Sequence, residues 1–190
     1  MLGRRGEKHR FMPGRYVFPG GRVTPEDAQP WAGEIPDEAA PFLALKHAAL
    51  RETFEETGLV VGQTGHRPPP ANGALSPVET AYRERGVLPA PAQLRLVGRA
   101  ITPTASPIRF HARFFVADGE HAQGRLVPCE ELDDLHWHPV DGEPPGLMQN
   151  VTRFMLRCAV DTWRGAASET PPLYWHRGRR SLVRHGTPAR

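Results

Sequence analysis

The sequence predicts an α/β sandwich built around a mixed sheet. Two stretches with helical periodicity, from about Pro41 to Thr57 and from Asn150 to Trp163, are separated by short β-prone runs. Strands and helices alternate irregularly, and no repeat of fixed period is visible, which excludes solenoids. At 190 residues the chain is long enough for one domain with its own core and short for two, so 1–190 is read as a single domain.

The elements follow in order. Tyr16 to Phe18 is a β-prone run that stops at Pro19-Gly20-Gly21, a strand feeding a sharp turn. The next twenty residues carry four prolines and no period, and read as loop. From Pro41, Phe42, Leu45 and Ala49 share one helical face, with Leu43, Leu50 and Phe54 beside it; Gly58 suits the position just past the helix end, and Leu59-Val60-Val61 begins a strand. Residues 62–93 form a Pro/Gly-rich accessory segment in which Ser76 can cap a short helix, Pro77 suits its first turn and Gly86 ends it. Leu94 to Ala100 and Phe110 to Ala117 read as strands flanking the turn-rich ITPTASPIR, and Leu132 to Trp137 as another. The last helix puts Val151, Phe154 and Cys158 on one face.

Composition narrows the function classes. Apolar residues at 39% and charged residues at 24% suit a soluble globular protein, while 21 prolines and 19 glycines point to long ordered loops. No apolar run is long enough to span a bilayer and MLGRRGEKHR lacks a signal-peptide core, so the expectation is a cytoplasmic protein without a membrane partner. Cys129 and Cys158 have no metal-type spacing and are expected to be reduced. A net charge of +3, without a basic block interleaved with aromatics, argues against nucleic acid and suits an anionic small molecule. For the C-terminal HRGRRSLVRHG a solvated basic tail is an equal reading.

The informative stretch is RETFEETGL, Arg51 to Leu59. On a helix, Glu52, Glu55 and Glu56 present their carboxylates in one patch, where each like pair costs about 0.2–0.5 kcal/mol and the helix C-terminus also disfavours anions. Arg51 lies four residues before Glu55 and can pair with it. A hard divalent cation is the natural partner for what remains, because Mg²⁺ prefers carboxylate, carbonyl and water oxygens; a solvated acidic face is the plainer alternative.

Together, Gly21, Arg51, Glu52, Glu55, Glu56, Gly58 and Leu59 resemble the Nudix hydrolase box, G-x5-E-x7-R-E-U-x-E-E-x-G-U, with U apolar. Roughly 16 extra residues lie between Gly21 and Arg51, read as an insertion at 22–40 inside the box. Counting back from Arg51, Leu43 stands in place of the box glutamate, and Thr53 occupies the first U. HRFMPGRYVFPGGRVTPED, ITPTASPIRFHARFF, ELDDLHW and NVTRFML are similar to the subgroup of peroxisomal coenzyme A diphosphatases and their bacterial relatives, so the resemblance covers most of the chain.

The resemblance implies a Nudix-type α/β/α sandwich and a hydrolase that cleaves a diphosphate linkage in a nucleoside diphosphate conjugate using Mg²⁺ or Mn²⁺. Coenzyme A or a derivative leads as substrate, with an ADP-ribose or NADH type pyrophosphatase, or a nucleotide-sensing domain without turnover, as alternatives. It implies the Gly20 carbonyl, Glu52 and Glu56 as metal ligands, with Glu55 adjoining. Arg51 would orient the glutamates, and the general base would be Glu52 or, from a later loop, Glu130 or Glu131. Arg109 could hold a phosphate, and Arg4, Arg5 and Arg15 lie on segments expected near the glycine turn. Nudix sheets also carry a strand ahead of the one leading into FPGG. Met1 to Arg5 reads as the end of a strand whose hairpin partner is absent, and the resulting open edge favours reduced stability or a homodimer.

Overall fold

A computed structural model describes residues 1–8, 12–31, 34, 40–65, 75–106, 108–142, 145–167, 170–178 and 180–185. Much of the accessory segment between 62 and 93, and part of the insertion, lie outside the described residues.

The described strands form three small sheets. In the first, β1 (Leu2–Arg5) runs between β2 (Tyr16–Val17) and β8 (Leu132–His136), antiparallel to both. The second has the order β10-β9-β5-β6, from β5 (Arg95–Ile101), β6 (His111–Val116), β9 (Leu173–Arg177) and β10 (Arg180–Arg184); β9 is parallel to β5, which makes the sheet mixed. In the third, β3 (Val60–Thr64) lies between β4 (Val87–Pro89) and β7 (Ala122–Gln123).

The layering can be read from two consecutive residues. Side chains alternate across a strand, and on β6 Phe115 packs into the cluster around Leu50, Val60 and Tyr82, whereas Phe114 packs with Ala100, Met155 and Tyr174. Leu50 belongs to α1 (Ala40–Thr57) and Met155 to α3 (Asn150–Trp163), so the two long helices cover opposite faces of the strand. This is the expected α/β/α sandwich. α2 (Pro77–Glu84) starts as anticipated, with Ser76 and Glu79 exchanging backbone hydrogen bonds in a capping box.

Several expectations are corrected. The strand at Leu2–Arg5 has partners on both sides, with β2 as its hairpin neighbour, so the open edge anticipated there is filled. The C-terminal basic run is not a solvated tail: Gly178, at φ +58°, turns β9 into β10, and arginines at both ends of β10 blunt the outer edge. On α1 the buried line passes through His47, Leu50 and Thr57, with Trp31 stacked on the His47 ring, and Phe42 is exposed. On α3, Met155 rather than Cys158 is the fully buried residue, while Val151 and Phe154 pack beside it as expected.

Candidate active site

The site forms where the turn after β2 meets the last two turns of α1. Gly58, at φ +75°, donates its N–H to the Phe54 carbonyl and ends the helix, a conformation that suits a residue without a β-carbon. Two to six residues upstream on that helix, the carboxylates of Glu52, Glu55 and Glu56 have three different environments.

Glu56 is buried, with 3% of its surface exposed. One oxygen accepts the Gly20 N–H at 2.7 Å, and the other, Oε1, is buried with no hydrogen-bond partner among the described residues. Burial pushes this carboxyl up to about 7; the Gly20 N–H and the Arg5 charge oppose the shift, and Glu52 and Glu131 add to it. Glu52 is half-buried and also raised, by desolvation first, with Arg51 working against it. Gly21 has no room for a side chain: a β-carbon there would lie within 2.6 Å of both Glu52 carboxylate oxygens. Glu55 is exposed.

Arg51 organises this patch. Its Nη1 donates to Glu52 Oε1 at 2.8 Å and to Glu55 Oε2 at 2.9 Å. Its Nη2 donates to the Arg22 carbonyl at 2.8 Å, which pins the chain just after the glycine turn. Its remaining donors form a fork on Asp27, Nε to Oδ1 at 2.9 Å and Nη2 to Oδ2 at 3.0 Å. Arg51 is held well above its usual range, by the Asp27 hydrogen bond foremost. Burial works to raise the Asp27 carboxyl, but the hydrogen bonds from Arg51 and from the Thr24 N–H outweigh it and keep it below the usual range.

Asp27 is the residue that sequence reasoning missed. Counting back from Arg51 lands on Leu43, but counting forward six positions from Gly21 lands on Asp27, and the structure places Asp27 against Arg51. Asp27 thus stands at the acidic spacing of the box when it is counted from Gly21, and it is the carboxylate that pairs with Arg51. The signal was present in TPED: Thr24 and Asp27 form a capping box on the 3-10 turn Pro25–Ala28, which fixes the carboxylate over the helix.

A cavity of about 1610 Å³ opens beside these residues, and Arg5, Arg15, Arg109, Gly20, Glu52 and Glu131 all border it. Arg4 does not; strand alternation turns it outward to pair with Asp133 at 2.9 Å, whereas Arg5 turns inward with its Nε buried and without a hydrogen-bond partner among the described residues. Arg22 stacks over Phe110, 5.5 Å from the ring centre, and ties the glycine turn to the loop that carries Arg109. Glu131 is exposed at the cavity and is felt by both Glu52 and Glu56, while Glu130 does not border it.

The chemistry of this donor set fits a hard divalent cation. Glu56 offers a desolvated, unpaired oxygen, Glu52 is held beside a glycine that leaves space only for its carboxylate, and such ions commonly take one or two carboxylates and complete their shell with water and phosphate. Among the described residues no three His, Cys, Asp or Glu side chains converge into a ready-made cage. Both cysteines are free thiols.

An α/β/α sandwich with an acidic helix end facing a glycine turn has the fold of a Nudix hydrolase. The chain is similar to the crystal structure of a NUDIX hydrolase from Alicyclobacillus acidocaldarius, with 28% sequence identity and a TM-score of 0.61 over 90% of this chain and 89% of that one. That likeness supports the Nudix superfamily and a hydrolase of its general kind. No protein-family model and no curated protein sequence matches the chain. Among the described residues no helix is long and apolar enough to cross a membrane.

Proposed function

We propose that the chain is a Mg²⁺- or Mn²⁺-dependent hydrolase of a diphosphate linkage in a nucleoside diphosphate conjugate, with coenzyme A or a derivative as the leading substrate. The observation that carries this reading is Glu56: a buried carboxylate with one oxygen on the Gly20 N–H and the other unpaired is an energetic liability that a proton or a bound cation relieves, and a hard divalent cation is the partner that suits the neighbouring Glu52 as well. Glu56 and Glu52 hold the ion together with the Gly20 carbonyl, and Glu55 flanks them. When bound there, the ion neutralises diphosphate oxygens and activates water for attack on phosphorus.

The chain's own residues do the rest. Arg51 touches no substrate; it spaces Glu52 from Glu55 and ties both to the glycine turn through the Arg22 carbonyl. Arg5 and Arg15 from one side and Arg109 from another supply positive charge for the diphosphate. Glu52, of which Arg51 engages only one oxygen, is the first candidate to accept the proton from the attacking water, and Glu131 at the cavity is the second. The cavity is large enough for a nucleotide conjugate, since small-molecule pockets commonly span roughly 300–1,000 Å³.

The test is a panel of coenzyme A, ADP-ribose, NADH and diadenosine polyphosphates with Mg²⁺ or Mn²⁺, run on the wild type and on Glu56→Gln. Turnover that Glu56→Gln reduces by two orders of magnitude or more supports the reading. Turnover that the substitution leaves intact removes the proposed ion site, and binding without turnover would favour a sensing domain.

A further inference from the structure

The insertion does more than lengthen a loop. Trp31 and Glu34, both inside it, pack against α1 at His47, whose side chain is fully buried. The His47 ring lies stacked on Trp31, with centroids 4.8 Å apart and planes 12° from parallel. Its Nε2 meets Glu34 Oε2 at 2.8 Å, and the same oxygen accepts the Trp31 N–H at 3.0 Å. Its Nδ1 lies 2.8 Å from the backbone carbonyl of Asp27. A carbonyl only accepts, so Nδ1 carries the proton in this contact. The carboxylate of that same Asp27 holds Arg51 in a fork, and Arg51 holds Glu52 and Glu55.

We propose that His47 and Glu34 are positioning residues for the acidic helix end, acting through Asp27 and Arg51, so that the insertion sets the spacing of the carboxylates that would take the divalent ion. The proposal rests on the reading above for what the carboxylates do, but not for how they are held. The geometry explains why a histidine and a glutamate occupy a core position where two apolar residues would pack. An apolar pair would leave the Asp27 carbonyl without its donor and free the short 3-10 turn to shift. Arg51 would follow, because three of its donors answer to that turn and to the Arg22 carbonyl before it. Replacing both members of a buried polar pair by apolar residues is often neutral for stability, whereas removing one member leaves the other unpaired. The double replacement removes the side-chain pair together but leaves the Asp27 carbonyl and the Trp31 N–H without those partners, so it is read beside His47→Asn, which keeps a donor for the carbonyl.

The experiment uses the ¹⁵N-labelled full chain and follows the Arg51 Nε–H resonance, assigned by its disappearance in Arg51→Lys, together with Mn²⁺ affinity measured by titration without substrate. In the wild type the Nε–H is expected to be resolved and slow to exchange. In His47→Leu/Glu34→Leu it is expected to merge into rapid exchange while the melting temperature stays within a few degrees, and Mn²⁺ is expected to bind about tenfold more weakly, the low end of what outer-shell changes cost. His47→Asn, whose amide can still donate to the Asp27 carbonyl, is expected to retain the signal that His47→Leu loses, and this single-site comparison decides the matter where the double variant does not fold. An Nε–H that survives in His47→Leu, or that is lost equally in His47→Asn, overturns the proposal; so does a lost signal with unchanged Mn²⁺ affinity. A wild type that binds no Mn²⁺ counts instead against the hydrolase reading, and the Arg51 resonance still decides whether His47 and Glu34 hold the helix end.

Discussion

Gly21→Ala is the smallest change that tests how the glycine turn and the helix fit together. The backbone at Gly21 is not in the left-handed region, so alanine brings no conformational strain of that kind and its effect comes from the added carbon alone. That carbon would sit within 2.6 Å of both Glu52 oxygens, and ordinary contact requires the carboxylate to retreat by about 1 Å. Such a retreat strains or breaks the 2.8 Å hydrogen bond from Arg51 Nη1, a charge-assisted bond worth roughly 1.5–3 kcal/mol when well formed and less here, where Glu52 retains some exposure. Thermal stability should therefore fall by only a few degrees, as roughly 1 kcal/mol shifts a domain of this size by about 2–4 °C. Catalysis should suffer far more, because a misplacement of about 1 Å at a reacting group can cost on the order of 100-fold in rate. The assay is hydrolysis of whichever panel compound the wild type cleaves, paired with a thermal melt. A variant that keeps full activity would refute the claim that Glu52 works from the position the glycine leaves open.

Five further expectations follow from the same geometry. Asp27→Asn should destabilise the protein by about 3 kcal/mol in chemical denaturation, since it unpairs one side of a buried fork on Arg51, whereas Leu43→Glu should add no Mn²⁺ affinity because the acidic partner of Arg51 is already in place. The metal-free protein should lose stability as pH rises between about 4.5 and 7: Glu56 binds its proton more tightly folded than unfolded across that window, a difference of roughly 3 kcal/mol at and above neutral pH, and Glu56→Gln should remove that slope in urea titrations at several pH values. Arg5→Met should raise KM for an anionic substrate, and in the metal-free protein should raise the apparent pKa of Glu56 further, readable by carboxyl-carbon NMR. Light scattering should show a monomer: β1 is paired on both sides and β10 carries arginines, so the open edge that favoured a homodimer is not at β1.

The parts of the fold that local chemistry dictates were legible in the sequence. Ser76, Pro77 and Gly86 bracket α2 as their capping and turn roles require, and Gly58 ends α1 in the left-handed conformation only such a residue adopts readily. What could not be read locally was pairing across distance. The hairpin partner of Leu2–Arg5 lies beyond an intervening loop, and a two-residue strand at Tyr16–Val17 carries too little pattern to announce it. The C-terminal strands were hidden because their arginines read as solvation, although Leu173, Trp175, Leu182 and Val183 sit among them.

The candidate site divides the same way. Arg51, Glu52, Glu55 and Glu56 were visible because helical spacing brings them together within one short run. Asp27 was obscured because it lies 24 residues from Arg51 in a run without periodicity, and Glu34 and His47 by lying 13 residues apart, with their contact set by tertiary packing alone. Arg4 and Arg5 are adjacent and chemically identical, and only the strand's alternation decides that Arg5 reaches the cavity.

The most direct measurement of the central claim is calorimetric titration of the metal-free protein with Mn²⁺ at pH 6, in two buffers of different ionisation enthalpy. A carboxyl held near 7 is mostly protonated at that pH and must give up its proton to ligate an ion, so binding should release close to one proton, and Glu56→Gln should abolish both the release and most of the affinity. Mn²⁺ binding of equal strength in Glu56→Gln, with no proton released in the wild type, would contradict the account.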